Sequence, residues 1–308
     1  MQHTPCRISV VLATYNGASF LPQQLESLQQ QTLAIDELIV VDDASTDTTI
    51  ALLEATQQKW PAMQVVRNSS NQGYLRTFER GLQLATGDVI AFCDQDDVWD
   101  HRKLELLLQA WQPEADLIFC DSYLMQADGT PIGQRISNLK NLQHYYRPEP
   151  FIIGNVVSGH AAIIRQRLLP FILPFPEHII HDWWIAFVAA ARGGVQYVDE
   201  PLVGYRQHAG SVIGAVRTGG ARPKKKSRTE KNQLIRHRIG IFRKALHPNT
   251  PAYDLLLQLE RSYHHFTPLA NIRRTRLFLQ HRKLLLATKR RTSLRQFLFC
   301  LKLFFKLV

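Results

Sequence analysis

Short apolar runs alternate with longer amphipathic stretches along the first 120 residues of the chain. Apolar runs rich in β-branched residues predict strands at 8–13, 38–41, 63–66, 89–93 and 117–120. The stretches between them have the spacing of helices, most clearly from Tyr74 to Leu84. Strands that are apolar throughout and separated by helices are typical of a parallel sheet covered on both faces. The pattern therefore predicts an α/β fold with a mostly parallel sheet.

Polar residues follow three of these predicted strands at their carboxyl ends. The three clusters are Thr14-Tyr15-Asn16-Gly17, Asp42-Asp43 and Asp94-Gln95-Asp96-Asp97. Open α/β sheets bind ligands beyond the carboxyl ends of their strands, so we expect the clusters to meet at one rim. The chain has neither GxGxxG nor GxxxxGK[ST], so the rim is not expected to hold a phosphate through a glycine-rich loop.

The acidic clusters suggest ligand binding. Asp94 and Asp96 are two residues apart, and in extended backbone their carboxylates project to the same side. Oxygen donors at that spacing suit Mg²⁺ or Mn²⁺, and neighbouring acids repel one another unless a cation compensates. The alternative is solvated loop acids that cap the next helix. Asp42 and Asp43 can accept hydrogen bonds from a nucleobase or a ribose, or can be ordinary turn residues.

Taken together, these strings resemble glycosyltransferase family 2, whose fold is termed GT-A. The matching segments are Thr14-Tyr15-Asn16-Gly17, Val41-Asp42-Asp43 with Ser45-Thr46-Asp47, and Asp94-Gln95-Asp96-Asp97-Val98-Trp99. The last form is similar to that of bacterial rhamnosyltransferase-like members, and the resemblance covers about residues 7–214. It implies a donor sugar linked to dTDP or UDP, Mn²⁺ or Mg²⁺ as cofactor, and inversion at the anomeric carbon. The donor nucleotide site implied by it comprises Thr14, Tyr15, Asn16, Asp42 and Asp43, and the metal ligands are Asp94 and Asp96.

The resemblance continues in the second half of this region. Asp182 matches the family's general base, although the sequence has His-Asp where Glu-Asp is more usual; the alternative is a helix cap. His208 would complete the metal site, and Arg206 would face the donor diphosphate. A second metal site at His178 and His181 is not favoured, because the prolines nearby make that segment irregular. The implied acceptor side comprises Asn155, Ser158, Gly159, His160 and Trp183.

Charge divides the chain into two parts. Residues 1–214 hold 14 Lys and Arg against 23 Asp and Glu, whereas residues 215–308 hold 23 against 3. We therefore predict a catalytic domain at 1–214 and a basic, membrane-associating extension at 215–308, with a charged linker at 222–228 and helices at 229–246, 251–265 and 270–308.

The last predicted helix carries a narrow basic stripe within a broad apolar surface. Arg291, Arg295, Lys302 and Lys306 fall within about 60° of one another on a helical wheel. Such a pattern is typical of a helix that lies in a membrane interface. The alternative is packing on the catalytic domain or on a second subunit. No zinc motif, RNP string or interleaved aromatic residues support nucleic-acid binding, so no nucleic-acid partner is expected.

The sequence thus predicts a metal-dependent, inverting glycosyltransferase that transfers a sugar, rhamnose as first choice, to a lipid-linked or polysaccharide acceptor. Two alternatives stay open: a nucleotidyltransferase, and an inert membrane or nucleic-acid adaptor with the same fold. Four cysteines without CxxC spacing, no long apolar run at the N-terminus and no apolar run of about 20 residues predict a cytoplasmic protein, peripheral at the inner face of the cytoplasmic membrane.

Overall fold

A computed structural model describes residues 6–208, 227–265 and 267–306. Within these ranges nine strands form one sheet. The strands are β1 (Ile8–Thr14), β2 (Glu37–Asp42), β3 (Met63–Arg67), β4 (Val89–Asp94), β5 (Val98–Trp99), β6 (Leu117–Met125), β7 (Pro131–Arg135), β8 (Ala162–Arg165) and β9 (Val195–Arg206). Their order across the sheet is β3-β2-β1-β4-β8-β6-β9-β5, and β7 pairs with β6.

The sheet is parallel in its first half and mixed in its second. Strands β1 to β4 pair in parallel, as the sequence pattern predicted, and β6 runs parallel to β9. Strand β8 lies antiparallel between β4 and β6, with Ile163 opposite both Ala91 and Ile118. Strand β6, which contains the predicted strand at 117–120, therefore does not pair with β4, because β8 lies between them.

Helices cover both faces of the sheet. They are α1 (Leu21–Gln29), α2 (Thr49–Gln57), α3 (Tyr74–Leu84), α4 (Lys103–Ala110), α5 (Ile136–Leu139), α6 (Leu169–Ile172) and α7 (His181–Arg192). Residues of β1 alternate between two cores: Val11 packs in one with α3 and α7, whereas Val10 and Leu12 pack in the other with α1 and α4. Side chains of a strand point alternately to the two faces, so an all-apolar strand fills both cores.

The C-terminal region is helical, but it is divided differently from the prediction. Its helices are α8 (Arg228–Lys244), α9 (Pro251–Ser262), α10 (Pro268–Gln280), α11 (Arg282–Leu285) and α12 (Ser293–Lys306). The prediction of one helix over 270–308 is wrong, because the chain leaves the helix at His281 and again at 286–292. Residues 222–226 of the predicted linker, the boundary at 214/215 and residues 307–308 lie outside the described residues. Ser227 caps α8 through a reciprocal pair of hydrogen bonds with Glu230.

The first helix of this region shares a core with the sheet domain. Phe242 of α8 is fully buried and stacks on Phe187 of α7, with ring centroids 4.0 Å apart. Cys300 of α12 is also buried in that core. Part of the C-terminal extension therefore packs on the sheet domain. Such packing was the alternative to contact with a membrane. None of the helices in the described ranges combines the length and apolarity that a membrane crossing requires.

Candidate active site

Backbone loops from three strand ends meet at one rim, as predicted. The Gln95 side chain holds the Tyr15 backbone from both sides: its Oε1 accepts from the Tyr15 amide at 2.8 Å, and its Nε2 donates to the Tyr15 carbonyl at 3.0 Å. The Asn16 amide donates to Ser45 Oγ at 2.9 Å. A Cβ on Gly17 would collide with the side-chain amide of Gln95 and displace it from the Tyr15 backbone. Tyr15 remains 45% exposed, available to a ligand.

The Asp42 and Asp43 carboxylates lie below this rim and organise it. Asp42 is fully buried and accepts hydrogen bonds from Thr14 Oγ1 and from the amide and hydroxyl of Ser45. Asp43 is 3% exposed, and its carboxylate accepts hydrogen bonds from the Asn68 side chain and from the backbone amides of Gln72 and Gly73, just before α3. Thr14, Asp42 and Asp43 thus shape the walls of the predicted nucleotide site in this structure, whereas Tyr15 is exposed at its surface.

Acids and histidines cluster where β4 ends. Asp94 is 41% exposed, and Asp96 Oδ2 lies 2.7 Å from His208 Nε2. His160 Nδ1 lies 3.3 Å from Asp97 Oδ2 and 3.7 Å from Asp94 Oδ2. His208 therefore meets the acids as predicted. His160, assigned to the acceptor side by resemblance, instead has its ring among the acids.

The acid cluster is poorly compensated by the protein itself. Burial, together with the charges of Asp96 and Asp94, raises the pKa of Asp97 well above its ordinary value. Its Oδ2 is buried without a hydrogen-bond partner. Beneath the cluster, the fully buried Lys103 donates to the His160 carbonyl at 2.6 Å, with its ammonium over the Trp99 ring. Burial lowers the pKa of Lys103 to about 8.

These donors fit a divalent cation. Asp94, Asp97 and His160 each offer an atom, all within 4.8 Å of one another. Among the described residues no other three ligand atoms converge in this way: Asp96 and His208, predicted as ligands together with Asp94, form a pair with each other. Carboxylate oxygens with an imidazole are ligands that Mn²⁺ accepts, and carboxylates also suit Mg²⁺. The orphaned Asp97 oxygen is the observation that most favours a cation at this place.

The assignment of Arg206 to the donor diphosphate does not fit the structure. Its side chain is 1% exposed, and the guanidinium donates to the Asp96 carbonyl at 2.7 Å, to the Ala127 carbonyl at 2.7 Å and to Gln23 Oε1 at 2.6 Å. All three nitrogens are engaged inside the protein, so Arg206 holds the acid-bearing loop rather than facing a ligand. The sequence alone does not show whether an arginine at the end of a strand points into the protein or toward a ligand.

Asp182 lies in the first turn of α7, on the side of the acid cluster. Ile180 is the residue that begins this helix and no side chain caps it, so the capping alternative for Asp182 is wrong. Burial raises the pKa of Asp182, and the Asp94 charge adds to the rise, whereas His181 and Lys140 oppose it. The structure therefore provides a half-buried carboxylate, beside Gly159, whose pKa is raised by burial and in part by the charge of Asp94.

The other residues assigned to the acceptor side separate into two groups. Ser158 and Gly159 lie beside α7, and a Cβ on Gly159 would meet His181 Nε2 at 2.9 Å. Asn155 bonds instead to the backbone of Val157 through both atoms of its amide, so it closes its own turn. The Trp183 indole donates to the Phe151 carbonyl and lies under Arg238 of α8, so it joins the extension to the body.

Sequence reasoning missed four residues of this site: Gln95, Asp97 and Lys103, described above, and Tyr74 at the start of α3. Tyr74 is 37% exposed, and its pKa is raised by burial and by the charges of Asp182 and Asp94. Its ring lies next to the candidate base, with its centroid 5.9 Å from that of the His181 ring. Asp97 was visible as part of an acidic string, but nothing in the sequence separates a ligand from a loop acid.

Comparison with known proteins now identifies the family. The profile of "Glycosyl transferase family 2" matches residues 9–172, which is more than half of the chain. The chain belongs to glycosyltransferase family 2. The matched segment contains the rim loops, the acid cluster and His160, so the resemblance drawn from the strand-end strings is confirmed.

Named relatives agree with this assignment. An uncharacterized glycosyltransferase of Nostoc sp. is 30% identical over 212 residues, covering 66% of this chain and 65% of that protein. The dTDP-rhamnosyl transferase RfbG of Shigella flexneri is 27% identical over 224 residues, covering 66% of this chain and 74% of that protein. The chain thus spans just under two thirds of the first relative's length.

Solved structures of other proteins share the fold. TarS 1–349 of S. aureus in complex with UDP-GlcNAc superposes with a TM-score of 0.60 at 19% identity, covering 98% of this chain and 81% of that one. The mannosyltransferase PcManGT of Pyrobaculum calidifontis, in complex with GDP-Man and Mn²⁺, gives a TM-score of 0.54 at 19% identity, covering 91% and 76%. The predicted GT-A fold with a helical C-terminal extension is confirmed.

Proposed function

We propose that the protein is a metal-dependent, inverting glycosyltransferase that uses a nucleotide-diphosphate sugar. The observation that carries the proposal is the convergence of Asp94, Asp97 and His160, with an Asp97 oxygen left without a hydrogen bond, together with a carboxylate, Asp182, whose pKa is raised by burial and by the Asp94 charge. The exposed Tyr15 at the rim supports a nucleoside site there. Complexes of TarS with UDP-GlcNAc and of PcManGT with GDP-Man and Mn²⁺ support the same class of donor and cofactor.

Asp182 acts as the general base in this proposal. An acceptor hydroxyl is a weak nucleophile at neutral pH, and a carboxylate that takes its proton during attack lowers the barrier. The hydroxyl oxygen forms a bond to the anomeric carbon as the bond to the donor phosphate breaks, and the nucleoside diphosphate leaves. A single displacement needs one base and inverts the configuration. Asp94 would hold the cation, with Asp96 and His208 or with Asp97 and His160, and the cation supplies charge that stabilises the departing diphosphate.

Rhamnose linked to dTDP is our first choice of donor, with UDP-linked sugars as alternatives. The support is the Asp94-Gln95-Asp96-Asp97-Val98-Trp99 string and the similarity to RfbG, which is named a dTDP-rhamnosyl transferase. The acceptor is proposed to be a lipid-linked or polysaccharide glycan.

Product analysis tests the reaction class. With Mn²⁺ present, a panel of nucleotide sugars should include one that the protein hydrolyses slowly without acceptor, releasing a nucleoside diphosphate. Release of pyrophosphate would instead identify a nucleotidyltransferase. Absence of both products across dTDP-, UDP- and GDP-linked sugars, together with no nucleotide binding, would favour an inert adaptor.

We also propose that α12 docks on an anionic membrane surface, which would place the protein at the inner face of the cytoplasmic membrane. Four side chains on one side of α12 are exposed and apolar: Leu294, Phe297, Leu298 and Leu301. Arg295 and Lys302 are exposed beside this apolar stripe, a charge arrangement that suits acidic headgroups. The side chains of Leu303, Phe305 and Lys306 lie outside the described residues.

The stripe predicts a specific loss of membrane binding. Replacing Leu294 and Leu298 together with serine should weaken sedimentation with phosphatidylglycerol vesicles by roughly tenfold or more, because two exposed side chains no longer enter the lipid. Leu84→Ser with Ile132→Ser is the matched control, since both residues are exposed elsewhere. Unchanged sedimentation of the stripe variant would show that a protein surface, rather than lipid, covers this side of α12.

A further inference from the structure

A strongly basic pocket separates the C-terminal extension from the sheet domain. It has a volume of about 600 Å³ and lies between the loop at 141–143 and residues 283–296. Its cationic lining comprises Lys283, Lys289, Arg290, Arg291 and Arg295, and the rest of the lining is neutral. All five cations are exposed.

The cations in this basic pocket have no counter-charge from the part of the chain that the structure describes. Within residues 6–208, 227–265 and 267–306, no carboxylate forms an ion pair with any of the five. Burial and the nearby charge of Arg291 lower the pKa of Lys289. Arginine and lysine side chains that converge without a carboxylate favour phosphate oxygens, which accept several charge-assisted hydrogen bonds at once.

The pocket borders the proposed acceptor side. Lys140 precedes the loop that forms one wall. Burial lowers the pKa of Lys140, the Asp182 charge opposes this, and the Lys289 charge lowers the pKa further. That loop is fixed to the opposite wall by a 2.7 Å hydrogen bond from Asn141 Nδ2 to the Ala287 carbonyl. A Cβ on Gly154 would lie 3.2 Å from Lys289 Nζ. A Cβ on Gly159 would lie 3.9 Å from Asp182 Cβ, so the segment 154–159 runs from the pocket to Asp182.

The pocket also adjoins the apolar stripe of α12. Arg295 lines the pocket, and its neighbour Leu294 is 67% exposed and belongs to the stripe. One ligand could therefore place a phosphate among the cations and an apolar chain along the helix. A nucleic acid would not use the apolar stripe, and a soluble glycan would use neither feature.

We propose that the basic pocket binds the phosphate or diphosphate group of a lipid-linked acceptor, while its glycan reaches Asp182. This inference rests on the proposed function for the identity of the acceptor side. It adds a binding site, distinct from the donor site, and selects the lipid-linked acceptor over a free polysaccharide.

Vesicle sedimentation tests the proposal without knowledge of the glycan. Three probes are compared in EDTA, which keeps metal from the donor site: phosphatidylcholine vesicles alone, the same vesicles with a polyprenyl diphosphate, and vesicles with phosphatidylglycerol at equal surface charge. Wild-type protein should bind the diphosphate vesicles about tenfold more tightly than the phosphatidylglycerol vesicles, because several cations converge on one headgroup.

Two double variants separate the pocket from general charge. Arg290→Gln with Arg295→Gln removes two pocket cations whose side chains have no bonding partner among the described residues. Lys231→Gln with Arg261→Gln removes the same charge from exposed positions on α8 and α9. The pocket variant should lose the tenfold preference for diphosphate, whereas the control variant keeps it. Thermal unfolding of each variant verifies that both are folded.

Three results would overturn the inference: equal wild-type binding to the two charged vesicles, a preference that survives in the pocket variant, or an equal loss in the control. Mn²⁺-dependent nucleotide binding, measured on the same variants, is expected to be unchanged. If nucleotide binding is absent from the wild type, the proposed function fails, while the vesicle result still decides whether the pocket recognises diphosphate.

Discussion

Replacing Asp182 with asparagine is expected to lower kcat by roughly 10²- to 10⁴-fold, because the variant cannot accept a proton from the acceptor hydroxyl. The amide has nearly the same shape, and Asp182 is not placed among the metal or nucleotide ligands. Donor affinity, measured by isothermal titration with Mn²⁺, should therefore be unchanged. An adaptor that does no chemistry predicts no effect at all.

A matched control guards against nonspecific effects of removing a carboxylate. Glu177→Gln removes an exposed carboxylate in the segment that precedes α7 and should leave kcat unchanged. If Asp182→Asn retains wild-type turnover, Asp182 is not the base and the catalytic assignment must move to another group, with Tyr74 the next residue to test.

The pH profile gives a second readout of the same residue. Burial raises the pKa of Asp182, so its protonated form persists to higher pH than in an ordinary aspartate. The base must be ionised, and kcat should therefore fall as the pH drops through this raised pKa. Lys140 opposes the rise, so Lys140→Gln should move the acidic limb to higher pH. Lys59→Gln, at an exposed lysine elsewhere, should not move it.

Replacing Asp94 with asparagine should remove metal-dependent donor binding, and Asp96→Asn should do the same if Asp96 and His208 are ligands. We expect kcat/KM to fall on the order of 100- to 1000-fold, because the diphosphate loses the charge that stabilises its departure. Mn²⁺ affinity, measured by the electron paramagnetic resonance signal of free Mn²⁺, should fall in parallel. Asp100→Asn is the control, since Asp100 lies nearby in the chain, after β5, and its carboxylate accepts a hydrogen bond from the Arg102 amide instead of joining the cluster.

Histidine variants distinguish the two ligand sets. If Asp94, Asp97 and His160 hold the cation, His160→Gln should weaken Mn²⁺ binding and His208→Gln should not; the other set predicts the reverse. His160 is buried against Ser122 and Asp97, so its variant also requires a thermal unfolding measurement. Wild-type Mn²⁺ affinity in all four variants, Asp94 and Asp96 included, would remove the metal from the proposed mechanism.

Strand-end motifs made much of the site predictable. Thr14-Tyr15-Asn16-Gly17, Asp42-Asp43 and the acids after β4 do meet at one rim, because neighbouring parallel strands end at the same edge of a sheet. The α/β class followed from strands that are apolar on both faces. The antiparallel insertion of β8 was not predictable, since three apolar residues followed by an arginine carry no information about which strand they join.

The roles of single side chains were harder to predict. The order Tyr205-Arg206-Gln207-His208 is compatible with an arginine that faces either ligand or core, and only the carbonyls of Asp96 and Ala127 decide that Arg206 is buried. His160 was assigned to the acceptor by its neighbours in sequence, but a buried ring takes its partners from distant segments. The burial of Lys103 could not be predicted, because the sequence of a helix does not distinguish a buried lysine from an exposed one.

The sequence by itself determined the family, the strand-end placement of the acids and the basic character of the last third of the chain, since each depends on local pattern or composition. The tertiary structure decided which acids and histidines converge, that Asp182 is not a cap, and that five cations, none in an ion pair within the described part of the chain, line one pocket. These features depend on distances between residues far apart in the chain, which only the packing of helices on the sheet sets.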